Sequence, residues 1–560
     1  MLRAAPYIAI ALLCGPVLAG LAGALLPAFG YLPALGGHSL TWDPVLRLFQ
    51  MPGLWTSVWL SLVTGFVTTA ISFCVVMALI AAWSETRAFT AMRAMVSPLL
   101  SIPHAAAAFG FAFLIAPSGW LFRLVSPWAT GFERPPDLLI LNDPYGLSLM
   151  AGLVMKEMPF LFLVALAALP QTDATNRMRV ARSLGYGRMA AWFKVVLPAL
   201  YPQIRLAIFA VMAFGTSVVD VALILGPTRP PTLAVRVVQW LGDPDLTMRF
   251  VASAGALLQV LVTLAAILLW IAMEKLVAWR GYAAILLGAR RPIDGLVRQA
   301  VAVLALASAV FVFAGLAVLA LWSLTHRWRW PDAWPAQMSL RNWERSLEPL
   351  SGSLSVTIAL ALLTTLIALV ITLACLENEH RSQSKVSPRA LSIVYLPLLV
   401  PQVSFLFGLN VVFLALGLDG TFFAVAFAHL VFVMPYVFLS LADPWRALDP
   451  RYSVVATSLR ASPWRAFFAV RLPLILTAVL TAAGVGIAVS VGQYLPTILI
   501  GAGRFETVTT EAINLSAGGN RRLIGVYASV QTALAFVGFA LAALLPILLF
   551  RNRRGMGARR

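Results

Sequence analysis

Val180–Pro198 reads VARSLGYGRMAAWFKVVLP, and Val455–Pro473 reads VATSLRASPWRAFFAVRLP. The two segments begin 275 residues apart (455 minus 180) and share Val, Ala, Ser, Leu, Ala, Phe, Val, Leu and Pro at matching places. Each is a basic interruption between long apolar runs. Chance similarity of apolar helices explains scattered Leu and Ala matches, but not a polar 19-residue segment with nine fixed identities. The chain is therefore a duplication, and its fold follows from what surrounds the two copies.

Of 560 residues, 61% are hydrophobic and only 11% charged, against roughly 25% charged in soluble domains. Runs of about 20 apolar residues suffice to cross a hydrocarbon core about 30 Å thick. Twelve such runs are read, near 5–27, 54–83, 98–117, 145–170, 203–226 and 248–274, then 299–322, 353–376, 391–416, 421–442, 474–500 and 526–550. The repeat extends through them. Met158-Pro159-Phe160 recurs as Met434-Pro435-Tyr436, Pro103 with Phe109-Gly110 as Pro401 with Phe407-Gly408, and Thr232 as Thr507. The expected fold is an all-α polytopic membrane protein of about 12 helices in two parallel six-helix repeats, because an even number of spans restores orientation. The expected domains are 1–288 and 289–560, with repeated loops at 171–202 and 443–473. An insertion in the first half covers much of SGWLFRLVSPWATGFERPPDLLI.

The net charge of +19 does not require nucleic acid. With the N-terminus inside, 26 of the 41 Lys and Arg fall in cytoplasmic segments, 12 outside and three in or at the edges of spans. This positive-inside bias places both termini in the cytoplasm, with the tail RNRRGMGARR as a topology anchor. The first apolar run is too long for an ordinary signal core and is read as a retained helix. Cys14, Cys74 and Cys375 fall in spans as buried free thiols, with no disulfide or zinc spacing.

Each repeated loop reads as a short amphipathic helix. Ala181, Gly185 and Met189 lie one turn apart, as do Ala456, Arg460 and Trp464. Trp192-Phe193 and Phe467-Phe468 supply apolar knobs, and Leu197-Pro198 and Leu472-Pro473 end the elements. One reading is a helix lying on anionic lipid; duplication favours the other, docking to a two-fold partner. At these residues the sequence resembles the permease subunits of binding-protein-dependent ABC importers, whose cytoplasmic motif is EAA---G---------I-LP. Val180-Ala181, Gly185, Val195, Leu197 and Pro198 fall on that spacing, as do Val455-Ala456, Val470, Leu472 and Pro473. Arg179 and Val454 replace the glutamate, and Arg460 replaces the second glycine. The chain is most similar to fused two-domain permeases of thiamine and ferric-iron uptake, on the thiamine-type branch. The resemblance implies a bacterial inner-membrane protein whose loops couple to two copies of an ATPase, with a periplasmic binding protein on the other face. It implies no cofactor of its own, ATP being held by the partner subunits.

The residues agree with that division of labour. A P-loop needs Gly-Lys-Ser/Thr; the four lysines, Lys156, Lys194, Lys275 and Lys385, never follow a glycine. No paired carboxylates, HExxH or GxSxG motif suggests an enzyme, and no catalytic or metal-ligating residues are expected. Charges within spans are expensive and mark function by default. Lys156 and Glu157 sit in the fourth span and Asp220 in the fifth. A bracing Lys156–Asp220 or Glu157 pair is one reading; lining a translocation path is the other. Asn410, Gln493 and Tyr494 are the second-half candidates, and Gly215, Ser217, Ser490 and Gly492 suit close approach of the two fifth helices. The alternative class is a proton-coupled secondary transporter of six plus six helices. The substrate is not legible.

Overall fold

The computed structural model describes residues 2–84, 86–96, 99, 101–286, 295–382, 388–449 and 451–549. The expected join after residue 288 and the tail at 551–560 lie outside the described residues. In hydrocarbon each backbone N–H and C=O must be satisfied within its own segment, so a chain this apolar spans as helix. The first repeat consists of α1 (Ala5–Ala28), α2 (Leu54–Trp83), α3 (His104–Ile115), α4 (Leu147–Ala168), α5 (Leu197–Ser217) and α6 (Met248–Leu286). The second consists of α7 (Gly295–Ser323), α8 (Arg341–Ser382), α9 (Gln402–Ala415), α10 (Phe422–Arg446), α11 (Leu476–Val491) and α12 (Arg521–Leu549). Among the described residues ten helices are long and apolar enough to cross a membrane, or twelve spans if each of two bent pairs counts as one. The protein is thus an all-α polytopic membrane protein built from two parallel six-helix repeats. The two short strands described, Thr325–Arg327 and Gln337–Met338, form a hairpin between α7 and α8.

The repeats are interlocked. α1 crosses α9 of the other repeat, where Gly20 and Gly23 lie against Phe405 and Gly408. In the same way α7 crosses α3 with Gly315 against Gly110, so close that a Cβ on either glycine would sit 2.8 Å from the other's carbonyl carbon. Small residues permit such backbone contact between membrane helices, where dispersion rather than hydrophobicity holds helices together. The repeated Phe-Gly elements at 109–110 and 407–408 are these crossing points. The glycine expected to join the two fifth helices does something else: Gly215 packs on Gly65 of α2 in its own repeat.

Other expectations are corrected in detail. The third span is shifted from 98–117 to His104–Val125, because α3 begins only after Pro103. The ninth is bent by 91° between Ser392–Leu399 and α9, at Pro401. Both fifth spans break, at Ser217 and Val491, short of the continuous runs 203–226 and 474–500. The cysteines are not buried: Cys74 is exposed on α2, and Cys14 and Cys375 are half-buried. The first-half insertion is clasped to the second half. Arg123 lies buried over Trp328, 5.0 Å from the ring centre, and donates to Arg329 O at 2.6 Å.

The crossings generate a stability prediction. Gly110→Val and Gly408→Val should each lower the stability of the detergent-solubilised chain by about 1–3 kcal/mol through overpacking. Gly15→Val, at a position with nothing within 4 Å of an added Cβ, should change the thermal midpoint far less.

Candidate functional site

The two breaks in the fifth spans occupy equivalent positions and line one cavity. In the first repeat Val218 leaves the helix in extended conformation and a new turn runs Asp220–Leu225. In the second, Gly492 and Gln493 intervene before Leu495–Gly501. The cavity between them has a volume of about 180 Å³ and reaches Ser217 and Asp220 on one side and Gln493 and Tyr494 on the other. A break frees backbone carbonyls that lipid cannot hydrate, and the sixth helix of each repeat answers this. Gln259 on α6 donates its amide to Thr216 O at 3.1 Å. Thr509 donates to Val491 O, and Gln531 on α12 donates to Thr509 Oγ1 at 2.6 Å. In both glutamines the amide oxygen is buried without a described partner, so each serves as a one-sided donor.

The charges gather on the first-repeat side. Lys156 points its Nζ to Leu99 O at 2.8 Å. Glu157 Oε1 lies 3.3 Å from His104 Nε2, and the His104 ring sits on Phe214 with centroids 4.8 Å apart. The Lys156–Asp220 pair weighed from sequence is absent from the ion pairs of the described residues. Asp220 shares the cavity wall with His104 and Lys156 instead. The second repeat has Phe432, Val433 and Leu495 at the corresponding places. Asn410 is not in the cavity lining: it is half-buried on α9, with Oδ1 unpartnered. His104, Gln402 and Tyr436, which also line the cavity, were not picked out from sequence. The repeat carried the signal, since His104 and Gln402 each follow the duplicated proline of Pro103 and Pro401.

The repeated loops are not the single helices expected. Ala174–Ser183 is followed by Gly185 at φ +83°, then by Arg188–Ala191 and a five-residue π-helix, Trp192–Val196. The second copy runs Arg451–Ser458, Arg460 at φ +56°, Pro463–Ala466 and the π-helix Phe467–Arg471. The glycine position is thus a left-handed turn between two helices, which glycine adopts freely and arginine adopts under strain. Leu197-Pro198 begins α5 rather than ending the loop, proline being tolerated in a first turn. Leu472-Pro473 likewise opens a short helix, Leu472–Leu474, bent by 75° from α11. Ala181, Trp192, Ala456 and Phe467 are buried against their own repeats, whereas Val180 and Val455 are exposed. Leu184 and Leu459, one turn further on, are exposed as well, and sequence reading passed them over. The loops are fastened differently: Arg188 donates to Ala81 O at 3.0 Å and to Ser84 O, while Arg471 pairs with Glu377 at 2.6 Å and contacts His380.

A central cavity between parallel repeats, each with an exposed helix–turn–helix at one end, defines a membrane transport subunit. Residues 380–554 match the family of binding-protein-dependent transport system inner membrane components. Over 535 residues, 94% of this chain and 96% of the relative, the chain is 32% identical to the inner membrane ABC transporter permease protein YnjC of Escherichia coli strain K12. Shorter relatives match about one repeat. The molybdenum transport system permease protein ModB of Azotobacter vinelandii is 31% identical over 29% of this chain and 78% of its own. The putative 2-aminoethylphosphonate transport system permease protein PhnV of Salmonella typhimurium strain LT2 is 27% identical over 44% and 91%. The chain belongs to the family of ABC transporter permeases of binding-protein-dependent transport systems, multi-pass proteins of the inner membrane.

Two predictions follow from this geometry. Gln259→Leu and Gln531→Leu should each destabilise the chain by about 1–3 kcal/mol, because a buried carbonyl or hydroxyl loses its donor; thermal unfolding in detergent measures this. Arg460→Gly should be neutral or stabilising by up to about 1 kcal/mol, and Gly185→Arg destabilising by a similar amount, since one relieves and the other imposes the left-handed strain.

Proposed function

We propose that this chain forms the entire membrane pathway of an ATP-driven importer. Two copies of an ATPase dock on the loops at 171–202 and 443–473, and a periplasmic binding protein delivers the solute to the opposite face. Both termini lie on the ATPase side, in keeping with the distribution of Lys and Arg. The observation that carries the reading is the connection between loop and cavity. In the first repeat α5 starts at the end of the loop and runs unbroken for 21 residues to the break at Ser217, about 30 Å at 1.5 Å per residue. In the second, the 16 residues of α11 run from the 75° bend to the break at Val491. Motion of an ATPase against the loops is delivered by these helices to both walls of the cavity, which is the requirement of alternating access. The 1–288 and 289–560 division describes the two repeats, and the solute is thiamine or a related small compound, as the branch resemblance implies. Lys156, Glu157, Asp220, Gln493 and Tyr494 line the path; Asn410 is withdrawn from that set.

The docking face is made by Val180 and Leu184 on one loop and Val455 and Leu459 on the other, exposed apolar pairs on the turn of helix that precedes each left-handed residue. Leu184→Asp and Leu459→Asp should each cut co-purification of the ATPase at least tenfold, since a carboxylate displaces a buried apolar contact of about 1.5–3 kcal/mol. Membrane insertion should be unchanged. ATPase recovery equal to the parent's in both variants contradicts the docking assignment.

A further inference from the structure

The structure assigns to His429 the positioning of the second-repeat wall of the cavity, where its ring clamps the two sides of the break. The inference rests on the path reading above and adds to it which edge of the path is held fixed.

His429 lies on α10, 1% exposed, with a hydroxyl at each ring nitrogen. Nδ1 is 3.0 Å from Ser490 Oγ, and Nε2 is 2.9 Å from Thr497 Oγ1. Ser490 stands in the last turn of α11 before the break, and Thr497 in the short helix Leu495–Gly501 after it. One imidazole therefore joins the chain on both sides of Gly492, Gln493 and Tyr494, which line the cavity. The hydrogen-bond inventory fixes its tautomer. The Thr497 hydroxyl donates to Gln493 O at 2.9 Å. A hydroxyl has one hydrogen; spent on that carbonyl, it leaves Thr497 Oγ1 as an acceptor for Nε2–H. Nδ1 of the neutral ring is then an acceptor, and the Ser490 hydroxyl donates to it. The relay runs in one direction, from Ser490 through His429 and Thr497 to the backbone carbonyl of a cavity-lining residue.

The first repeat cannot build this clamp. With Met158 matched to Met434 and Val180 to Val455, the equivalents of His429, Ser490 and Thr497 are Leu153, Gly215 and Ala222, none of which carries a polar side-chain atom. There the short helix after the break is held at its far end instead. Ser148 on α4 donates to Leu225 O at 2.8 Å, and Asn142 donates to Gly226 O at 2.7 Å. The edge that carries Gln493 and Tyr494 is thus bound across the break itself, whereas the edge that carries Asp220 is anchored beyond it. Ser490 and Thr497 are buried, so loss of the ring strands hydroxyls that no water can satisfy. The consequence falls on the backbone between them, and with it on the aim of the Gln493 and Tyr494 side chains.

The test uses the full-length chain in nanodiscs, with neither ATPase nor solute. Nitrogen resonances of isotope-labelled histidine should include one ring, absent from His429→Gln, in the neutral Nε2–H form with an accepting Nδ1. A second arm measures labelling by a methanethiosulfonate reagent at Gln493→Cys and at Ser217→Cys, each in the background Cys14→Ala, Cys74→Ala, Cys375→Ala. His429→Leu should speed labelling at Gln493→Cys by about fivefold or more, the scale of a lost buried hydrogen bond, and leave Ser217→Cys unchanged. Thr497→Val, which keeps the side-chain shape and removes the hydroxyl, should act in the same way and replaces His429→Leu if that variant does not fold. His429→Gln, whose amide can still donate to Thr497, should return the Gln493→Cys rate toward the parent's. An Nδ1–H or mixed tautomer, a Gln493→Cys rate unchanged by His429→Leu and Thr497→Val, or rates that rise equally at both cysteines each overturns the inference while leaving ATPase docking intact. Loss of the docking assignment would instead leave the clamp standing and remove only its place in a transport path.

Discussion

Two backbone carbonyls govern this architecture. Thr216 O and Val491 O stand at the ends of helices that stop inside the membrane-spanning layer, where an unpaired carbonyl costs several kcal/mol. Each receives a hydroxyl or amide from elsewhere in its own repeat. Gln259 reaches the first directly, and Thr509, held by Gln531, reaches the second. The sixth span of each repeat is thereby tied to the fifth at the level of the cavity. With the carbonyls satisfied, the chain can leave the helix, turn Asp220 and Tyr494 toward the cavity and resume as a short helix. The cavity is a consequence of capped breaks, and irregular backbone is confined to the place where it lines a path.

The interlocked first helices explain why the two halves act as one body although the sequence divides between them. α1 and α7 each pack on the third span of the other repeat through glycine contacts. A separated half would expose those faces. Against this common frame the asymmetry is chemical. One repeat supplies the charges of the cavity, the other its amide and phenol groups. One loop is fastened by arginine to backbone carbonyls, the other by an arginine–glutamate pair. A two-fold scaffold thus carries a one-sided recognition surface, as a solute without two-fold symmetry requires.

Much of the fold was legible because the informative residues were rare in the sequence. A polar 19-residue segment in a chain with 11% charge stands out, and its repetition set the number of halves and their parallel orientation. The left-handed turn was half legible: Gly185 announces it, whereas Arg460 hides it, since arginine seldom adopts that conformation. The break at Val218-Val219 left no trace, as two valines read as continuous span. The partner of Lys156 was illegible in principle, being the carbonyl of Leu99, which no side-chain pattern encodes. Asn410 misled because polarity within a span does not tell which face carries it. Leu184 and Leu459 were overlooked because exposed apolar residues look like core until the turn beside them is known.

The central claim is that the two capped breaks border one path whose access alternates. It is tested most directly at Ser217, which lines the cavity at the first break. In a background carrying Cys14→Ala, Cys74→Ala and Cys375→Ala, Ser217→Cys would be exposed to a membrane-impermeant thiol reagent added to either side of proteoliposomes holding the chain with its ATPase. The account predicts labelling from the ATPase side without nucleotide, and from the opposite side when ATP is trapped by vanadate. A cysteine reachable from neither side in both states, or from the same side in both, would contradict it.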